Sequence, residues 1–408
     1  MMAALFFYIN MLNRENKKIL MIAATPFFSH RGCHIRIYEE ISFLQKRGHS
    51  VKLVTYHFGE NIEGIDTERI PNFFWYKNTA SYLSLHKIYF DIFVLFKAFI
   101  AAIRHKPDIL HCHSHEGAFI GILVNVFFRK KLILDSQGSL SDDFVVFGVF
   151  KRNSFFYKLC ILFEKFIYRY SDAVLVSNKS NYDVLVKDFK ISPKKIFVVA
   201  DGVNAESLDI NKELVKNLRA KYNLQKYRHV IVYCGTMNES EGIEILLETM
   251  KRLKTKRNDF ILLLMGYPNV EHYKDVAKKM GLEDCVNVLG RINYFELFSH
   301  LYLGTCAVSF KMLTTEGNLK LLHYGILGLP AFCFDHSSNR YIMGGHAFYL
   351  KYQEAPEYYA EKIDEVLNSP GRIRLKGEEA KKWVCSTHSN SLLLKELLEA
   401  YRENNGKD

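Results

Sequence analysis

The chain has 408 residues, of which 49% are hydrophobic and 24% charged, a composition typical of a globular protein rather than a disordered one. This length suggests about two domains. A bilayer span is excluded because it needs about 20 apolar residues, whereas Asp91 and Lys97 interrupt the stretch at 88–103, and the stretch at 117–128 is only 12 residues long. The eight cysteines form no C-x-x-C pair, which argues against structural zinc and for reduced cytoplasmic thiols.

The positive charge lies almost wholly in the first half of the chain. Residues 1–200 contain 27 lysines and arginines against 17 acidic residues, a balance of +10, whereas residues 201–408 contain 28 against 27, a balance of +1. A basic surface attracts anionic partners. Because no zinc finger, RNP motif or basic recognition helix accompanies this charge, we predict no nucleic acid partner and favour an anionic membrane or a phosphate-bearing lipid.

Strands and helices alternate along the first 200 residues. Residues 18–24 form a continuous apolar run, as expected of a parallel strand buried on both faces. Residues 34–47 then show the apolar spacing of a helix. Further strands are predicted at residues 50–56, 108–111, 131–135, 173–176 and 195–200, and further helices at residues 117–128, 155–170 and 178–187. This alternation predicts a doubly wound α/β domain.

A second series of the same kind begins after residues 201–204. Its strands are predicted at residues 230–234, 260–265, 286–289, 306–309 and 331–334, and its helices at residues 241–253, 273–280 and 295–303. A helical stretch at residues 391–403 closes the chain. The sequence therefore predicts an α/β protein with two tandem Rossmann-like domains and no small all-β module.

The most informative segment is residues 318–330, N-L-K-L-L-H-Y-G-I-L-G-L-P. Gly328 and Pro330 end a short helix. Lys320 lies at the start of that helix, where free N–H groups and the helix dipole favour an anion. The segment resembles the K-L-x-E-Y-x-x-x-G-x-P segment of the nucleotide-sugar glycosyltransferases of the GT-B fold, in particular the retaining family 4. In that family it holds the donor's diphosphate and ribose.

Further segments resemble the same family and occur in the family's order. They are residues 44–51 for the pattern L-x-x-x-G-H-x-V, 108–113 for D-x-[IV]-H-x-H, 201–204 for the interdomain loop N/D-G-V-D and 235–242 for G-x-x-x-x-x-K-G. Each pattern alone is weak, but their order along the chain indicates the GT-B fold. The resemblance implies an acceptor domain at 17–200, a donor domain at 201–380, and a helix and tail at 381–408 that cross back. Residues 1–16 are expected to form an N-terminal extension.

The resemblance also implies which residues form the site. The donor-binding residues would be Gly32, Gly235, Thr236, Arg291, Glu316, Asn318, Leu319, Lys320, Leu321 and His323. In the first domain, His113 and Arg36 would face the acceptor. The catalytic residues would be Lys320, which stabilises the leaving diphosphate, and Gln137, which lies where many members carry a histidine at the sugar site. Gln137 can hydrogen-bond a sugar but cannot act as an acid or base.

Several positions depart from the family's pattern. Thr236 and Glu241 stand where the family has an arginine and a lysine, and Thr315 and His323 stand where it has paired glutamates. Glu316 is one residue from the first of these glutamates. A glutamate facing a diphosphate would repel it, so we predict that Glu241 turns outward or that its loop has another role. His323 is expected either to hydrogen-bond a ribose hydroxyl or to pack within its helix.

We predict no metal and no cofactor beyond the nucleotide-sugar substrate, which would be linked to UDP or GDP. The chain contains no Asp-x-Asp motif, and fixed lysines and helix N-termini can stabilise a leaving diphosphate without a metal. We expect His111 and His113 to face opposite sides of their strand, so that at most one enters the cleft. The series His111, His113, His115 also lacks the i, i+4 spacing of a helical zinc site.

Two stretches, residues 82–104 and 144–169, are rich in aromatic and basic side chains. Such a composition is typical of helices at a membrane interface. It is equally typical of helices that pack on a sheet and extend their lysines into water. Both interpretations stay open at this point.

The sequence therefore favours a retaining, metal-independent glycosyltransferase that acts on a glycan or lipid-linked glycan in cell-surface polysaccharide or glycolipid synthesis. It would be cytoplasmic, with peripheral contact to the inner face of an anionic membrane. The departures noted above leave open a non-catalytic relative that acts as a binding or scaffold partner, and a sugar-nucleotide epimerase is a further alternative. A nicotinamide dehydrogenase is disfavoured because no G-x-G-x-x-G follows the first strand.

Overall fold

The computed structural model describes residues 16–29, 32–74, 85–136, 138–146, 148–200, 202–203, 208, 210–312 and 317–402. These residues divide into two compact units. The first unit contains the described residues up to Ala200 together with those from Leu394 onward, and the second contains the residues between. Each unit is built around one parallel sheet.

The first unit has a seven-stranded sheet with strand order β3-β2-β1-β4-β5-β6-β7. All its paired strands are parallel. The strands are β1 Lys18–Ala23, β2 Ser50–Thr55, β3 Asp66–Arg69, β4 Ile109–His113, β5 Lys131–Ser136, β6 Ala173–Val176 and β7 Ile196–Val198. The helices are α1 Gly32–Lys46, α2 Leu85–His105, α3 Ser114–Phe128, α4 Leu140–Val146, α5 Phe155–Tyr170 and α6 Lys179–Lys187.

The second unit has a six-stranded parallel sheet with strand order β10-β9-β8-β11-β12-β13. The strands are β8 His229–Thr236, β9 Phe260–Tyr267, β10 Val286–Gly290, β11 Cys306–Ser309, β12 Ala331–Phe334 and β13 Phe348–Leu350. The helices are α7 Lys212–Lys221, α8 Ile243–Lys254, α9 Val270–Lys279, α10 Tyr294–Leu301, α11 Leu319–Ile326, α12 Ser337–Met343, α13 Pro356–Leu367, α14 Pro370–Thr387 and α15 Asn390–Tyr401. The last of these continues into the first unit from Leu394.

The two parallel sheets confirm the predicted α/β fold class. Their central strands are buried on both faces, as the continuous apolar runs indicated: residues 19–23 of β1 and 262–265 of β9 are fully buried. Apolar side chains of the flanking helices complete the core on each side of the sheets. In open sheets of this type, ligands bind outside the carboxyl ends of the strands. The candidate site residues should therefore be sought at those ends. Among the described helices, none combines the length and the apolar composition needed to cross a membrane.

The last part of the chain differs from its predicted division. Residues 381–408 were expected to form one crossover helix and tail, but residues 381–387 belong to α14, which packs on α11 within the second unit. The return to the first unit begins at Leu394. The close packing of α14 explains the difference. A Cβ atom added at Gly377 would lie 2.1 Å from the carbonyl oxygen of Gly328, and one added at Gly325 would lie 2.5 Å from Val384.

We predict that Gly377→Ala destabilises the second unit by roughly 1–3 kcal/mol, because the added methyl group has no room against Gly328. Gly371→Ala is the matched control in the same helix, since nothing lies within 4 Å of its added Cβ. Alanine there should be neutral or stabilising by up to about 1 kcal/mol. Urea unfolding of both variants measures the difference, and equal stabilities would contradict this packing.

Candidate functional site

In the second unit, the carboxyl ends of β8 and β11 and the start of α11 bring together several of the predicted donor residues. Strand β8 ends at Gly235 and Thr236, and a single 3₁₀ turn, Glu239–Glu241, leads into α8. The side chain of Asn238 caps this turn by accepting a hydrogen bond of 3.1 Å from the Glu241 backbone N–H. The capped turn directs Glu241 back toward the strand end.

Glu241 does not turn outward, so the first of the two alternatives predicted for it was wrong, whereas another role for its loop stays a prediction. Its carboxylate forms a direct ion pair with the ammonium group of Lys320, and the two side chains are only 11% and 9% exposed. The Nζ of Lys311 lies 3.9 Å from the other carboxylate oxygen of Glu241. Nearly buried opposite charges stabilise each other where either alone would be strongly disfavoured. Attraction to Lys320 therefore overrides any tendency of Glu241 to face solvent.

The shape of β8 makes room for the Lys320 side chain. Gly235 has φ +143°, and a Cβ atom there would lie 2.7 Å from Cε of Lys320. The hydroxyl of Tyr233 donates a hydrogen bond of 2.6 Å to the Thr236 carbonyl, and Nζ of Lys320 lies 5.3 Å from the centre of the Tyr233 ring. Glycine at 235 thus serves close packing around a cation.

Lys320 belongs to the first turn of α11, which contains no acidic residue. The N–H groups and dipole of a helix start favour an anion. Lys311 is nearby and donates a hydrogen bond of 2.9 Å to the Gly317 carbonyl at the entrance to the helix. Two lysines and a helix N-terminus therefore meet at this strand edge, which is chemistry suited to a phosphate group.

His323 lies one turn further along α11 and is buried. Its ring packs against Phe298, with ring centres 5.3 Å apart. Burial, with a contribution from the nearby Lys320 charge, lowers the pKa of His323 to about 4. At neutral pH it is an uncharged imidazole in an aromatic environment. Its contact with a ribose stays a prediction.

The other predicted donor residues are spread around this centre. The buried Asn318 side chain donates to Ser309 Oγ at 3.1 Å and to Asn339 Oδ1 at 3.0 Å. Leu321 is fully buried in the core and Leu319 packs against it. Arg291 lies 5.4 Å from the Tyr267 ring centre. Among the remaining predicted site residues, Thr236 and Gly32 are exposed to solvent. Glu316 and Gln137 lie outside the described residues.

In the first unit, Arg36 and His113 meet at one buried carboxylate, that of Asp135. Arg36 donates to both oxygens of Asp135 at 2.9 Å and to the Val199 carbonyl at 2.8 Å. Nδ1 of His113 lies 3.1 Å from the same carboxylate. Although burial opposes ionisation, the Arg36 charge and the His113 contact hold the pKa of Asp135 well below its usual range. Arg36 thus stabilises this unit, and its contact with an acceptor stays a prediction.

The prediction that His111 and His113 face opposite sides was wrong. Residues two apart on a strand share a face, and the two rings are stacked with their centres 4.5 Å apart. His111 Nδ1 lies 2.7 Å from the hydroxyl of Tyr401 in α15. Burial lowers the pKa of His111 well below its usual value, so this imidazole is neutral.

Sequence inspection did not identify Lys311, Glu40 or Tyr401 as site residues. Glu40 could have been found, because it lies four residues after Arg36 on a predicted helix and pairs with it at 3.2 Å. Tyr401 is 290 residues from His111, and no local pattern indicates that contact. Lys311 follows an apolar strand without any motif of its own.

Comparison with known proteins assigns both parts of the chain to one class. The two parallel sheets, one in each unit, match the GT-B architecture. Residues 31–207 match the family model described as Glycosyltransferase Family 4, and residues 215–383 match the model described as Glycosyl transferases group 1. The chain therefore belongs to the GT-B glycosyltransferases of the group 1/family 4 type.

Individual relatives are distant. An uncharacterized glycosyltransferase of Methanocaldococcus jannaschii is 22% identical over 387 residues, which is 88% of this chain and 91% of the relative. A Campylobacter jejuni enzyme, N-acetylgalactosamine-N,N'-diacetylbacillosaminyl-diphospho-undecaprenol 4-alpha-N-acetylgalactosaminyltransferase, is 25% identical over 187 residues. That match spans 45% of this chain and about half (47%) of the relative.

Solved structures agree on the fold. The Anabaena protein HepE, crystallised with UDP and glucose, superimposes with a TM-score of 0.74 at 12% sequence identity. The superposition covers 94% of this chain and 99% of HepE. At this identity, the likeness shows the fold alone.

We predict that Lys320 and Glu241 are energetically coupled. Lys320→Met leaves a nearly buried carboxylate without its closest partner, and Glu241→Gln leaves a nearly buried ammonium group, so each single variant should lose stability. The double variant should be more stable than the sum of the two losses predicts, with a coupling energy of roughly 0.5–3 kcal/mol. Denaturant unfolding of the four proteins measures it. Strictly additive losses would mean that the pair does not form in solution.

Proposed function

We propose that the protein transfers a sugar from a UDP- or GDP-linked donor to a glycan or lipid-linked glycan acceptor, with retention of anomeric configuration and without a metal ion. The observation that carries this proposal is the position of Lys320, in the first turn of α11 and beside the end of β8. A cation there meets the helix start that best accommodates a diphosphate. The UDP bound to HepE supports a nucleotide donor.

Charge stabilisation is the main task of such a site. The bond to the sugar breaks as negative charge grows on the leaving diphosphate, and fixed donors that face this charge lower the barrier. Lys320 and the N–H groups of α11 supply such donors. Gln137 is proposed to hydrogen-bond the sugar. In a retaining transfer on one face of the sugar, the leaving phosphate can take the acceptor's proton, so no histidine is required at that position.

Glu241 competes with the diphosphate for Lys320. Because the Nζ of Lys311 lies 3.9 Å from Glu241, we propose that Lys311 neutralises this carboxylate while Lys320 turns to the donor. The site would then exchange one ion pair for another during donor binding. Glu241 would therefore lower the affinity for the nucleotide and would not itself contact the donor.

Calorimetric titration with UDP, GDP and ADP tests the proposal. Lys320→Met should weaken binding of the preferred nucleotide by roughly 1.5–3 kcal/mol, the range for a hydrogen bond to a charged group. Glu241→Gln should strengthen it, because Lys320 loses its internal partner. Lys351→Met is the control, since Lys351 is exposed elsewhere in the second unit. Equal affinities in Lys320→Met and wild type would refute the assignment.

The Lys320–Glu241 pair also favours a second candidate, a non-catalytic relative that keeps the fold and acts as a binding partner. In that case, the pair would be a permanent internal salt bridge. The same titration separates the two candidates. Wild type and Glu241→Gln should both fail to bind any of the three nucleotides if the protein is a scaffold.

We further propose that transfer does not need a divalent metal to hold the diphosphate, because Lys320 and the helix start take that role and the sequence contains no Asp-x-Asp motif. Activity should therefore survive excess EDTA within about a factor of two of the untreated rate. The control is re-addition of Mg²⁺ or Mn²⁺. A complete loss that either ion restores would overturn the metal-free mechanism.

A large exposed apolar surface on the first unit suggests where in the cell the protein acts. Helices α2, α3 and α5 lie side by side, joined by ring contacts such as Phe99 with Phe127 at 5.4 Å and Phe119 with Phe163 at 5.3 Å. Their exposed apolar side chains, called here the apolar helix face, are Ile88, Ile92, Phe93, Phe96, Ile100, Ile103, Phe119, Leu123, Val126, Phe127, Phe155, Phe156, Leu159, Leu162, Phe166 and Tyr170. A contiguous exposed patch of this kind indicates a partner surface.

Charge around this face favours a membrane. Arg104, Lys158 and Arg169 are exposed on the same helices, whereas the acidic residues that the three helices carry, Asp91, Glu116 and Glu164, are not. Burial raises the pKa of the Asp91 carboxyl to about 7, which weakens its negative charge further. We propose that this face binds the anionic inner surface of a membrane. The diphospho-undecaprenol substrate named for the Campylobacter relative supports a lipid-linked acceptor there.

Vesicle binding tests this attachment. The triple variant Phe96→Gln/Phe127→Gln/Leu162→Gln should bind anionic vesicles at least roughly fortyfold more weakly. This assumes that each wild-type side chain contributes, on entering the membrane, about half of the ~1.5–3 kcal/mol that its full burial would give. Phe295→Gln/Tyr302→Gln/Leu375→Gln replaces exposed apolar side chains of the second unit and should bind like wild type.

Binding of the wild type should also fall steeply as salt rises, because each basic residue contributes about 1 kcal/mol and is screened over about 8 Å at physiological salt. Binding that ignores lipid charge, or that the second-unit triple variant abolishes, would contradict attachment through the apolar helix face.

A further inference from the structure

Three buried side chains of the first unit converge at the carboxyl end of β4. They are Glu40 of α1 and His111 and His113 of β4, and their potential ligand atoms all lie within 4.8 Å of one another. The carboxylate oxygen of Glu40 lies 3.6 Å from Nε2 of His111. Two imidazoles and one carboxylate form a common ligand set for zinc.

Both histidines already use Nδ1, and in each the other ring nitrogen has no hydrogen-bond partner. His111 Nδ1 contacts the Tyr401 hydroxyl at 2.7 Å, and His113 Nδ1 contacts Asp135 at 3.1 Å. Their Nε2 atoms are buried without partners, and the side chains are only 0% and 2% exposed. Buried polar atoms of this kind are rare, and each calls for an explanation.

The outer partners match those of metal-binding histidines. Such a histidine almost always donates its second ring N–H to a carboxylate or another oxygen, which fixes the tautomer and directs the free nitrogen to the ion. Asp135 and Tyr401 are positioned to do this for His113 and His111. The neighbouring His115 differs, because its Nε2 already contacts the Tyr168 hydroxyl at 2.9 Å. Only the first two histidines therefore present a free Nε2.

The nearby Arg36 does not prevent cation binding. Its guanidinium lies 2.9 Å from both oxygens of Asp135 and 3.2 Å from Glu40. The Asp135 carboxylate thus offsets the arginine charge. The three proposed ligands are one carboxylate oxygen and two imidazole nitrogens. Zinc, nickel and cobalt prefer such a set more than magnesium or calcium do.

We propose that Glu40, His111 and His113 bind one divalent transition metal ion of the zinc type. The ion would fasten α1 to β4 and, through His111 and Tyr401, strengthen the attachment of the returning helix α15. Its role is to stabilise the first unit. It is independent of the metal-free diphosphate site proposed above, whose lysines belong to the second unit.

Zinc binding to the metal-free full-length protein tests this proposal. We would measure Zn²⁺ uptake by competition with a chromophoric chelator, and Co²⁺ uptake from its visible absorption spectrum. Wild type should bind one ion per chain. Glu40→Gln, which keeps the side-chain volume, and His111→Gln should weaken binding by more than the 10–100-fold that loss of an outer partner causes. His115→Gln is the matched control and should bind like wild type.

Thermal unfolding keeps the test independent of folding defects. Saturating Zn²⁺ should raise the unfolding midpoint of wild type and His115→Gln but leave that of Glu40→Gln unchanged. If His111→Gln does not fold, the isosteric Glu40→Gln variant decides. The proposal is overturned if wild type takes up no stoichiometric ion, if Glu40→Gln binds like wild type, or if His115→Gln loses binding equally. Recovery of EDTA-treated activity on addition of Mg²⁺ or Mn²⁺ bears only on the transfer mechanism.

Discussion

The ion pair between Lys320 and Glu241 constrains the residues around the carboxyl end of β8 in the second unit. Both side chains are nearly buried, and neither charge would be tolerated there alone. Asn238 must therefore cap the turn that aims Glu241 inward, Gly235 must lack a Cβ to admit the lysine, and the Tyr233 hydroxyl must be tied to the Thr236 carbonyl. Glu241 and Thr236, two of the residues that depart from the family's pattern, thus belong to one consistent arrangement. An arginine or lysine at position 241 would need a different neighbourhood.

The fold followed from the sequence because hydrophobic periodicity is a local property. Apolar runs such as residues 18–24 and 260–265 can be buried on both faces only in a covered parallel sheet, and the observed strands agree with them within a few residues. The end of α14 could not be predicted in the same way. Its position depends on Gly377 meeting Gly328, a contact between segments about 50 residues apart that leaves no periodic pattern.

The site followed only in part, since side-chain partners depend on tertiary structure. Lys320 was identified because its place at a helix start has a local physical meaning. Glu241 was placed wrongly because the sequence indicated an external anion as its neighbour and gave no sign of an internal cation. For His111 and His113, the strand was predicted correctly, but the two side chains were wrongly expected on opposite faces. Residues two apart on a strand lie on the same face. The contact with Tyr401 depends on the chain's return, which no motif in β4 encodes.

The carboxyl ends of the strands suit ligands of opposite charge in the two sheets. Parallel strands leave their carboxyl ends open to polar groups in both units. In the second unit, amines and the N–H groups of a helix start gather there, which suits an anion such as a diphosphate. In the first unit, imidazoles with free Nε2 atoms and carboxylates gather there, which suits a cation. Arg36 is paired with Asp135 there, so its charge is already balanced within the first unit. This difference in side chains, rather than any difference in fold, is the reason for our proposal that the donor binds the second unit.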